Sequence, residues 1–525
     1  MLEPGVRREA RRQVAGPRRP DDRPVRHHQA RHLRASPSNA ELRPRHKVYW
    51  AHHRSRGASR GGRDPIMRKA TLRRGLFEVF VALVVLGLLL APQAAAAVVR
   101  VGANVAVSDG PDAQNEPSIA VNPRNERNLV AGANDYRSGD AWAGVYASVD
   151  GGRTWFEQLI PGYPGGPADV LTEFGAAGDP SVAFDADGVA HYAGIAFNRA
   201  GFGSAKDGSI WAARSSDGGF TWTVTMVARG GQGVFHDHEQ IAADRSSGGP
   251  FRNHLYISWT MFIGFGQTPI VVSRSTDGGV SWSFPLEVSG PVTPGGFFQD
   301  SIVAVGPDGT VYVAWDETFT RPGGITAMRL WIARSSDGGA TFDAPRRIQD
   351  VVPERLHNAA YRHGTYPAMA VAPSGAVYVA WADNRLGDAD ILLTRSSDRG
   401  VTWTSPIRVN DDAVGGGTDQ FFPWVSVSPN GRVDIMWYDK RPDPNNYLLD
   451  VFFAFTRDGT TISANVRVTG VSSDPAVWPA FLGDYNGMAS TDRVAYPVWT
   501  DMRNGETSPR DFNQDIFTAP VTGLG

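Results

Sequence analysis

Short apolar stretches alternate with polar turns along residues 98–525. Stretches such as Val311–Trp315 and Val377–Trp381 are rich in β-branched and aromatic residues, and glycine, aspartate, asparagine or serine follows each of them. Four to six such residues bounded by turn residues are typical of β-strands rather than helices. The pattern therefore predicts an all-β fold of many short strands.

One hairpin element recurs through this region with the pattern Ser-x-Asp-x-Gly-x-Thr/Ser-Trp/Phe. Successive aspartates lie 60 to 67 residues apart, and a degraded sixth copy keeps Thr456, Asp458 and Gly459. Such side chains bond to the backbone of their own turn, and the second glycine supplies a positive φ. We therefore interpret the element as structural. Its five full copies begin at Ser148, Ser215, Ser275, Ser335 and Ser396.

The strands around each hairpin recur as well. Four short strands per repeat of about 60 residues are typical of a β-propeller blade, which is one four-stranded antiparallel sheet of a closed ring. Counting first strands predicts seven blades, with six as the alternative. The last repeat lacks a fourth strand, and we expect Val99–Val105 to supply it and close the ring.

The hairpin element resembles the Asp-box of the sialidase (neuraminidase) superfamily. That resemblance covers residues 98–525 and implies an exo-glycosidase. It further implies an arginine triad for a substrate carboxylate, an acidic residue as general acid and a tyrosine nucleophile assisted by a glutamate. Asp-box propellers also include binding and assembly proteins, so the motif is stronger evidence for the fold than for an activity.

Propeller geometry places the loops that enter the first strands, and those that leave the second strands, on the face opposite the hairpins. A carboxylic acid there can protonate a glycosidic oxygen if burial raises its pKa, and an arginine fork suits a substrate carboxylate. The predicted catalytic residues are Asp179, Glu239, Asp300, Tyr366 and Tyr485. The predicted substrate-binding residues are Arg137, Arg385, Arg441 and Arg503. Because each of these arginines belongs to an Asp-x-Arg repeat, a structural ion pair is the alternative for all four.

Composition limits the remaining chemistry. The chain has no cysteine, which excludes disulfides and thiolate metal sites. His236 and His238 could hold a metal, but exposed loop histidines are common, so no metal or cofactor is predicted, apart from the possibility of structural calcium. Residues 98–525 hold 31 basic and 47 acidic residues, a net charge of −16, which disfavours nucleic acid as a partner.

The first 97 residues differ from the repeats. Residues 1–66 are basic and lack an apolar pattern, so we interpret them as a disordered segment before a mis-assigned start, with Met67 as the true first residue. Residues 67–97 have the basic, apolar and small-residue regions of a signal peptide, with an uncleaved anchor as the alternative. The sequence thus predicts a secreted or cell-envelope monomer that acts on glycans, with no membrane span after cleavage. A glycoside hydrolase is the leading hypothesis, and a non-catalytic propeller that binds a glycan or an envelope protein is the alternative.

Overall fold

The computed structural model describes residues 98–199, 205–264, 266–321, 324–477, 480–505 and 513–525, all within the compact unit Ala94–Gly525. The predicted basic segment 1–66 and signal peptide 67–97 lie outside the described residues. Two N-terminal strands, β1 (Arg100–Val101) and β2 (Val105–Ala106), precede seven antiparallel sheets. Among the described residues, no helix is long and apolar enough to cross a membrane.

The first four blades follow one another along the chain. Blade 1 consists of β3 (Gln114–Val121), β4 (Leu129–Asp135), β5 (Trp142–Ser148) and β6 (Phe156–Leu159). Blade 2 consists of β7 (Ala176–Phe184), β8 (Ala190–Arg199), β9 (Ala205–Ser215) and β10 (Thr223–Ala228). Blade 3 consists of β11 (Val234–Ala243), β12 (Leu255–Ile263), β13 (Ile270–Ser275) and β14 (Leu286–Glu287). Blade 4 consists of β15 (Gly296–Val305), β16 (Val311–Arg321), β17 (Gly324–Ser335) and β18 (Arg346–Val351).

Three further blades complete the ring and confirm the predicted count of seven. Blade 5 consists of β19 (Ala368–Val371), β20 (Val377–Asp383), β21 (Asp390–Ser396) and β22 (Ile407–Arg408). Blade 6 consists of β23 (Gln420–Val427), β24 (Val433–Asp439), β25 (Asp450–Thr456) and β26 (Val466–Arg467). A short 3-10 helix, Pro475–Val477, precedes blade 7. Blade 7 contains β27 (Gly487–Ser490), β28 (Ala495–Asp501), β29 (Asp515–Thr518) and β30 (Val521–Thr522).

The N-terminal strands complete blade 7. Val105 of β2 pairs with Thr518 of β29, and Arg100 of β1 pairs with Thr522 of β30. The predicted closure is therefore confirmed, although the segment contributes two separate two-residue strands instead of one. Because an N-terminal strand fills the outer edge of the last sheet, the ring has no open seam between its first and last blades.

The core lies between neighbouring sheets. Trp381 of β20, for example, packs with Leu330 and Ile332 of β17 in the preceding blade. One tryptophan stands in the second strand of each of the last five blades, and all five are fully buried, as packing between sheets predicts. They are Trp259, Trp315, Trp381, Trp437 and Trp499.

The hairpin elements form the turns between third and fourth strands. In each full copy the serine Oγ donates to the aspartate Oδ1 at 2.7–2.9 Å and accepts from the second glycine N–H at 2.8–2.9 Å. The other aspartate oxygen accepts from the Thr or Ser hydroxyl at 2.5–2.8 Å. These side chains form their hydrogen bonds within their own turn, which supports the structural interpretation of the element.

Candidate functional site

The inner strands of five blades carry a β-bulge near their start. The ladder shifts register within β3, β7, β11, β15 and β23, and each bulge contains a non-glycine residue with positive φ. A left-handed backbone conformation is strained at a residue other than glycine, and residues with such strain cluster at functional sites. Bulges also occur next to active sites, where they change the direction of a side chain. The five residues are Glu116, Asp179, His238, Asp300 and Phe422, with φ of 55°, 52°, 56°, 53° and 48°.

Two of these side chains, His238 and Phe422, contact the predicted tyrosines at the centre of the ring. The His238 ring lies 6.0 Å from that of Tyr366 and 5.7 Å from that of Tyr485, and Tyr366 lies 5.5 Å from Phe422. These contacts join blades 3, 5, 6 and 7 across the axis. A cavity of about 20 Å³, close to the volume of one water molecule, lies among them and also borders Asp300 and Asp484. We call this region the channel mouth.

Seven carboxyl groups surround the channel mouth, and all have raised pKa values. Burial is the largest cause for each, because it disfavours the charged form, and repulsion from a neighbouring carboxylate adds to it in most. For Asp484, burial raises the pKa while the Arg362 guanidinium opposes the rise. The other six are Glu116, Asp179, Asp237, Glu239, Asp300 and Asp316.

Two groups of these carboxyls are close enough to affect each other's protonation. Asp300 and Asp316 form one group, and burial raises the pKa of Asp316 to about 7. Asp179 forms the other group with Glu116 and Asp237. Because ionised carboxylates at short range repel one another, the members of each group do not ionise independently.

These seven carboxyls differ in their exposure to solvent. Asp179, Asp237 and Asp484 are partly exposed, whereas Glu116, Glu239, Asp300 and Asp316 are buried. Neither carboxylate oxygen of Glu239 has a partner in another described residue. The partly exposed carboxyls are therefore the ones that a ligand entering from solvent can reach.

The two predicted tyrosines also differ in depth. Tyr366 is partly exposed and borders Asp484 and Asp300, whereas Tyr485 is buried and its hydroxyl donates to the Pro180 carbonyl at 3.4 Å. Burial raises the pKa of both hydroxyls well above the usual value, so both are protonated at neutral pH. Burial, followed by the charge of Arg362, lowers the pKa of His238 to about 4, so that ring is neutral.

Within the described part of the chain, Arg362 is the arginine that reaches the channel mouth, and the sequence analysis missed it. It lies on the loop between β18 and β19, and its Nε donates to Asp484 Oδ1 at 2.8 Å while Nη2 donates to Asp484 Oδ2. Nη2 also lies 3.7 Å from Glu116 Oε1, and the guanidinium carbon sits 4.5 Å from the centre of the Phe481 ring. This arginine thus ties blade 5's entry loop to blades 7 and 1.

The four arginines predicted to bind substrate pair with aspartates at the ends of second strands. Each guanidinium contacts the aspartate two residues earlier, at 2.6–2.8 Å in the closest ion pairs. In blades 5, 6 and 7 the same carboxylate accepts from the buried strand tryptophan at 2.8–2.9 Å. These contacts match the structural alternative, and substrate binding by the four stays a prediction. The pairs are Asp135–Arg137, Asp383–Arg385, Asp439–Arg441 and Asp501–Arg503.

The structure brings all five predicted catalytic residues to the channel mouth region. Among those that reasoning from sequence did not select, Asp316 carried a signal, because the Trp-x-Asp-x-Arg pattern of other blades becomes Trp315-Asp316-Glu317-Thr318 there. The two histidines separate, since His236 Nδ1 accepts from Trp259 Nε1 at 2.8 Å whereas His238 lies in the channel. The described residues contain no group of three or more His, Asp or Glu arranged to hold a metal ion.

Comparisons with known proteins give distant similarities. No protein-family model matches the chain. A xyloglucanase from a Paenibacillus species is 28% identical over 214 residues, which are 39% of this chain and 19% of the relative, so the match spans about a fifth of that protein. A Hadza microbial sialidase structure is 15% identical with a TM-score of 0.42, over 75% of this chain and 73% of that one. An α-L-arabinanase from Penicillium chrysogenum, complexed with arabinobiose, is 16% identical with a TM-score of 0.45, over 65% and 94%. A sialidase, the family that the hairpin element resembles, is thus among the solved structures similar to this chain.

Proposed function

We propose that this protein is a glycan-acting β-propeller, a glycoside hydrolase that works outside the cytoplasm. The observation that carries the proposal is the cluster of carboxyls with raised pKa values at the channel mouth, among them Glu116, Asp179 and Asp300, which stand at bulges of three inner strands. A carboxylic acid that keeps its proton near neutral pH is what a glycosidase needs to protonate a leaving oxygen. The relative named a xyloglucanase and the signal-like pattern of residues 67–97 are consistent with this function and location.

Asp179 is the proposed general acid. It is partly exposed, its pKa is raised by burial and by Asp484, and it interacts with Glu116 and Asp237. Its proton passes to the glycosidic oxygen as the bond to the anomeric carbon breaks. The resulting carboxylate then accepts a proton from the water that releases the sugar, so the residue returns to its starting state.

Tyr366 is the proposed nucleophile, with Asp484 as its proton acceptor. Its hydroxyl is protonated at rest, so attack on the anomeric carbon requires that the phenolic proton moves to a base. Asp484 interacts with this hydroxyl. In this scheme the phenolic oxygen forms the bond to the anomeric carbon, and water later replaces it.

The substrate we propose is a sugar without a carboxylate at the channel mouth. The arginine there, Arg362, is already bound in bidentate fashion by Asp484 and lies beside Glu116. A second acid on the substrate would meet six further carboxyl groups and no unpaired cation among the described residues. A neutral sugar can instead exchange hydroxyl hydrogen bonds with protonated carboxyls.

A panel of fluorogenic glycosides tests the proposal with the full chain. We expect turnover of a neutral glycoside and none of a sialoside, with Asp179→Asn and Tyr366→Phe each lowering kcat at least a hundredfold at unchanged melting temperature. Arg346→Gln is the matched control, because this exposed arginine lies at the start of β18, away from the channel mouth, and turnover should persist. Equal turnover by Asp179→Asn would contradict the assignment of the acid.

The alternative is a propeller that binds a glycan without cleaving it. The small free volume at the channel mouth counts against cleavage there, since about 20 Å³ holds a water molecule and no sugar unless side chains move. A folded protein that turns over none of the glycosides yet binds a saccharide would establish it.

A further inference from the structure

A second cavity opens at the outer edge of blade 1. Its volume is about 680 Å³, within the range of ligand-binding pockets. The end of β6, the loop after β4 and the loop after β6 line it. Its lining includes Arg137, Ser138, Gln158, Tyr163 and Pro164. We call it the Tyr163 pocket.

The Tyr163 pocket opens at the same end of the propeller as the channel mouth. Gln114 at the start of β3 pairs with Asp135 at the end of β4. Glu116 lies two residues after Gln114, and Arg137 lies two residues after Asp135. The channel mouth and the pocket therefore lie at the same end of blade 1. A chain-like ligand at the channel mouth can therefore extend towards the pocket along one face.

The wall of the pocket is preformed. Gly162 N–H donates to the Pro167 carbonyl and Gly166 N–H donates to the Tyr163 carbonyl, both at 2.9 Å, which closes the loop on itself. A Cβ on Gly166 would lie 2.4 Å from the Tyr163 ring, so the loop backbone rests against that ring and fixes its orientation. Pro161, Pro164 and Pro167 restrict the backbone further. Such a loop loses little conformational entropy when a ligand binds.

The charged groups at the pocket include more carboxylates than cations. Arg137 Nη2 lies 2.6 Å from Asp135 Oδ2 and 2.7 Å from Glu157 Oε2, so two carboxylates neutralise the one guanidinium. An anionic ligand would therefore meet no unpaired cation among the described residues that line the pocket. The half-buried Tyr163 ring instead offers an apolar face, with the Ser138 hydroxyl and the Gln158 amide oxygen at its edge, while Gln158 Nε2 donates to the Gly219 and Phe220 carbonyls. A pyranose ring presents the same combination of an apolar face and a polar edge.

We propose that the Tyr163 pocket binds a neutral saccharide unit of a glycan, remote from the channel mouth. This inference rests on the proposed function only in taking a glycan as the ligand, and it requires no cleavage. The Tyr163 ring stacks on the apolar face of the sugar, and the polar groups around it receive the hydroxyls. A site of this kind holds a long glycan and contributes nothing to the hydrolysis of a small glycoside.

A glycan microarray with neutral and acidic oligosaccharides tests the inference on the full chain carrying Asp179→Asn, which prevents cleavage. We expect a neutral oligosaccharide to bind, Tyr163→Ala to weaken that binding at least tenfold, and Tyr163→Phe to keep it. Ser138→Trp, which fills the pocket from the opposite wall, should also weaken it. Tyr447→Ala removes another half-buried tyrosine, outside the lining of this pocket, and should leave binding unchanged.

The outcomes separate this inference from the proposed function. Binding that is lost in Tyr163→Ala and Ser138→Trp supports the pocket even if the parent chain hydrolyses no glycoside. Binding that survives both variants, binding of acidic glycans alone, or no binding of any neutral glycan by the folded protein would overturn it, even if neutral glycosides are hydrolysed.

Discussion

Replacing Arg362 by alanine should destabilise the protein in a pH-dependent way. The substitution removes a bidentate ion pair whose arginine side chain is 58% exposed and whose partner, Asp484, is 13% exposed. Exposed pairs contribute up to about 1 kcal/mol and broken buried pairs cost about 3–5 kcal/mol. Because this pair is intermediate, we expect a loss of about 1–2 kcal/mol in the free energy of unfolding at pH 8.

The loss should be smaller at pH 5. Burial raises the folded-state pKa of Asp484 and Arg362 opposes that rise, so without Arg362 the folded pKa is higher still. A carboxyl whose folded-state pKa is raised stabilises the fold at pH values below its unfolded-state pKa. That contribution is lost as pH rises through the folded-state pKa. At pH 5 the orphaned carboxyl can take a proton and avoid an unpaired buried charge, whereas at pH 8 it must be ionised.

Urea unfolding at pH 5 and pH 8 measures this difference. Arg355→Ala is the matched control, since this exposed arginine lies on the same loop and the structure shows no ion pair for it among the described residues. Arg362→Lys should recover part of the stability, because it keeps the charge and loses the fork. An equal loss at both pH values, or a loss as large in Arg355→Ala, would refute the reasoning.

Three further predictions concern buried side chains and the hairpin turns. Glu239→Gln should leave stability unchanged near pH 4 and raise it increasingly above that pH, because the buried carboxyl has a raised pKa; thermal melting across pH 4–9 measures this, and a variant less stable at pH 9 would contradict it. Trp437→Phe should cost about 1–2 kcal/mol more than Trp315→Phe in urea unfolding, because only the first indole N–H donates to a carboxylate, while the second has no partner among the described residues; equal costs would count against that hydrogen bond. Asp337→Ala should cost about 1–2 kcal/mol at pH 7 and much less near pH 2, since hydroxyl and backbone donors lower the pKa of this carboxyl to about 2 and most of its contribution is lost as pH falls to that value; melting at both pH values checks it, and a constant difference would argue against it.

The repeat made the fold predictable, because its hairpins and strands encode local geometry. Ser335 and Asp337 form their turn from residues a few positions apart, and the same spacing in five copies sets the number of blades. The ring closure was also predictable, since a sheet with a missing strand and an unpaired N-terminal segment have one simple solution. Its division into β1 and β2 was not, because it depends on pairing across the whole chain.

The site was predictable only where it follows the repeat. Asp179 and Asp300 were found because each stands at the start of an inner strand. Arg362 could not be found in this way, because it lies on an irregular loop and reaches Asp484 through the folded ring rather than through the sequence. The burial of Asp300 and its closeness to Asp316 likewise arise only in the folded chain.

The pairing of Val105 with Thr518 also constrains the order of folding. Bringing two ends of an open chain of this length together costs about 5 kcal/mol in loop-closure entropy, whereas neighbouring strands of one blade meet over short separations. The first six blades can assemble from strands that are close in sequence. Once these blades have stacked, they hold the N-terminal and C-terminal strands near each other, which removes most of the loop-closure entropy cost. Blade 7 should therefore form last, after residues 515–518 have been synthesised. Until then its edge strands are available for pairing with other chains, which makes the nearly complete ring the species most prone to aggregation.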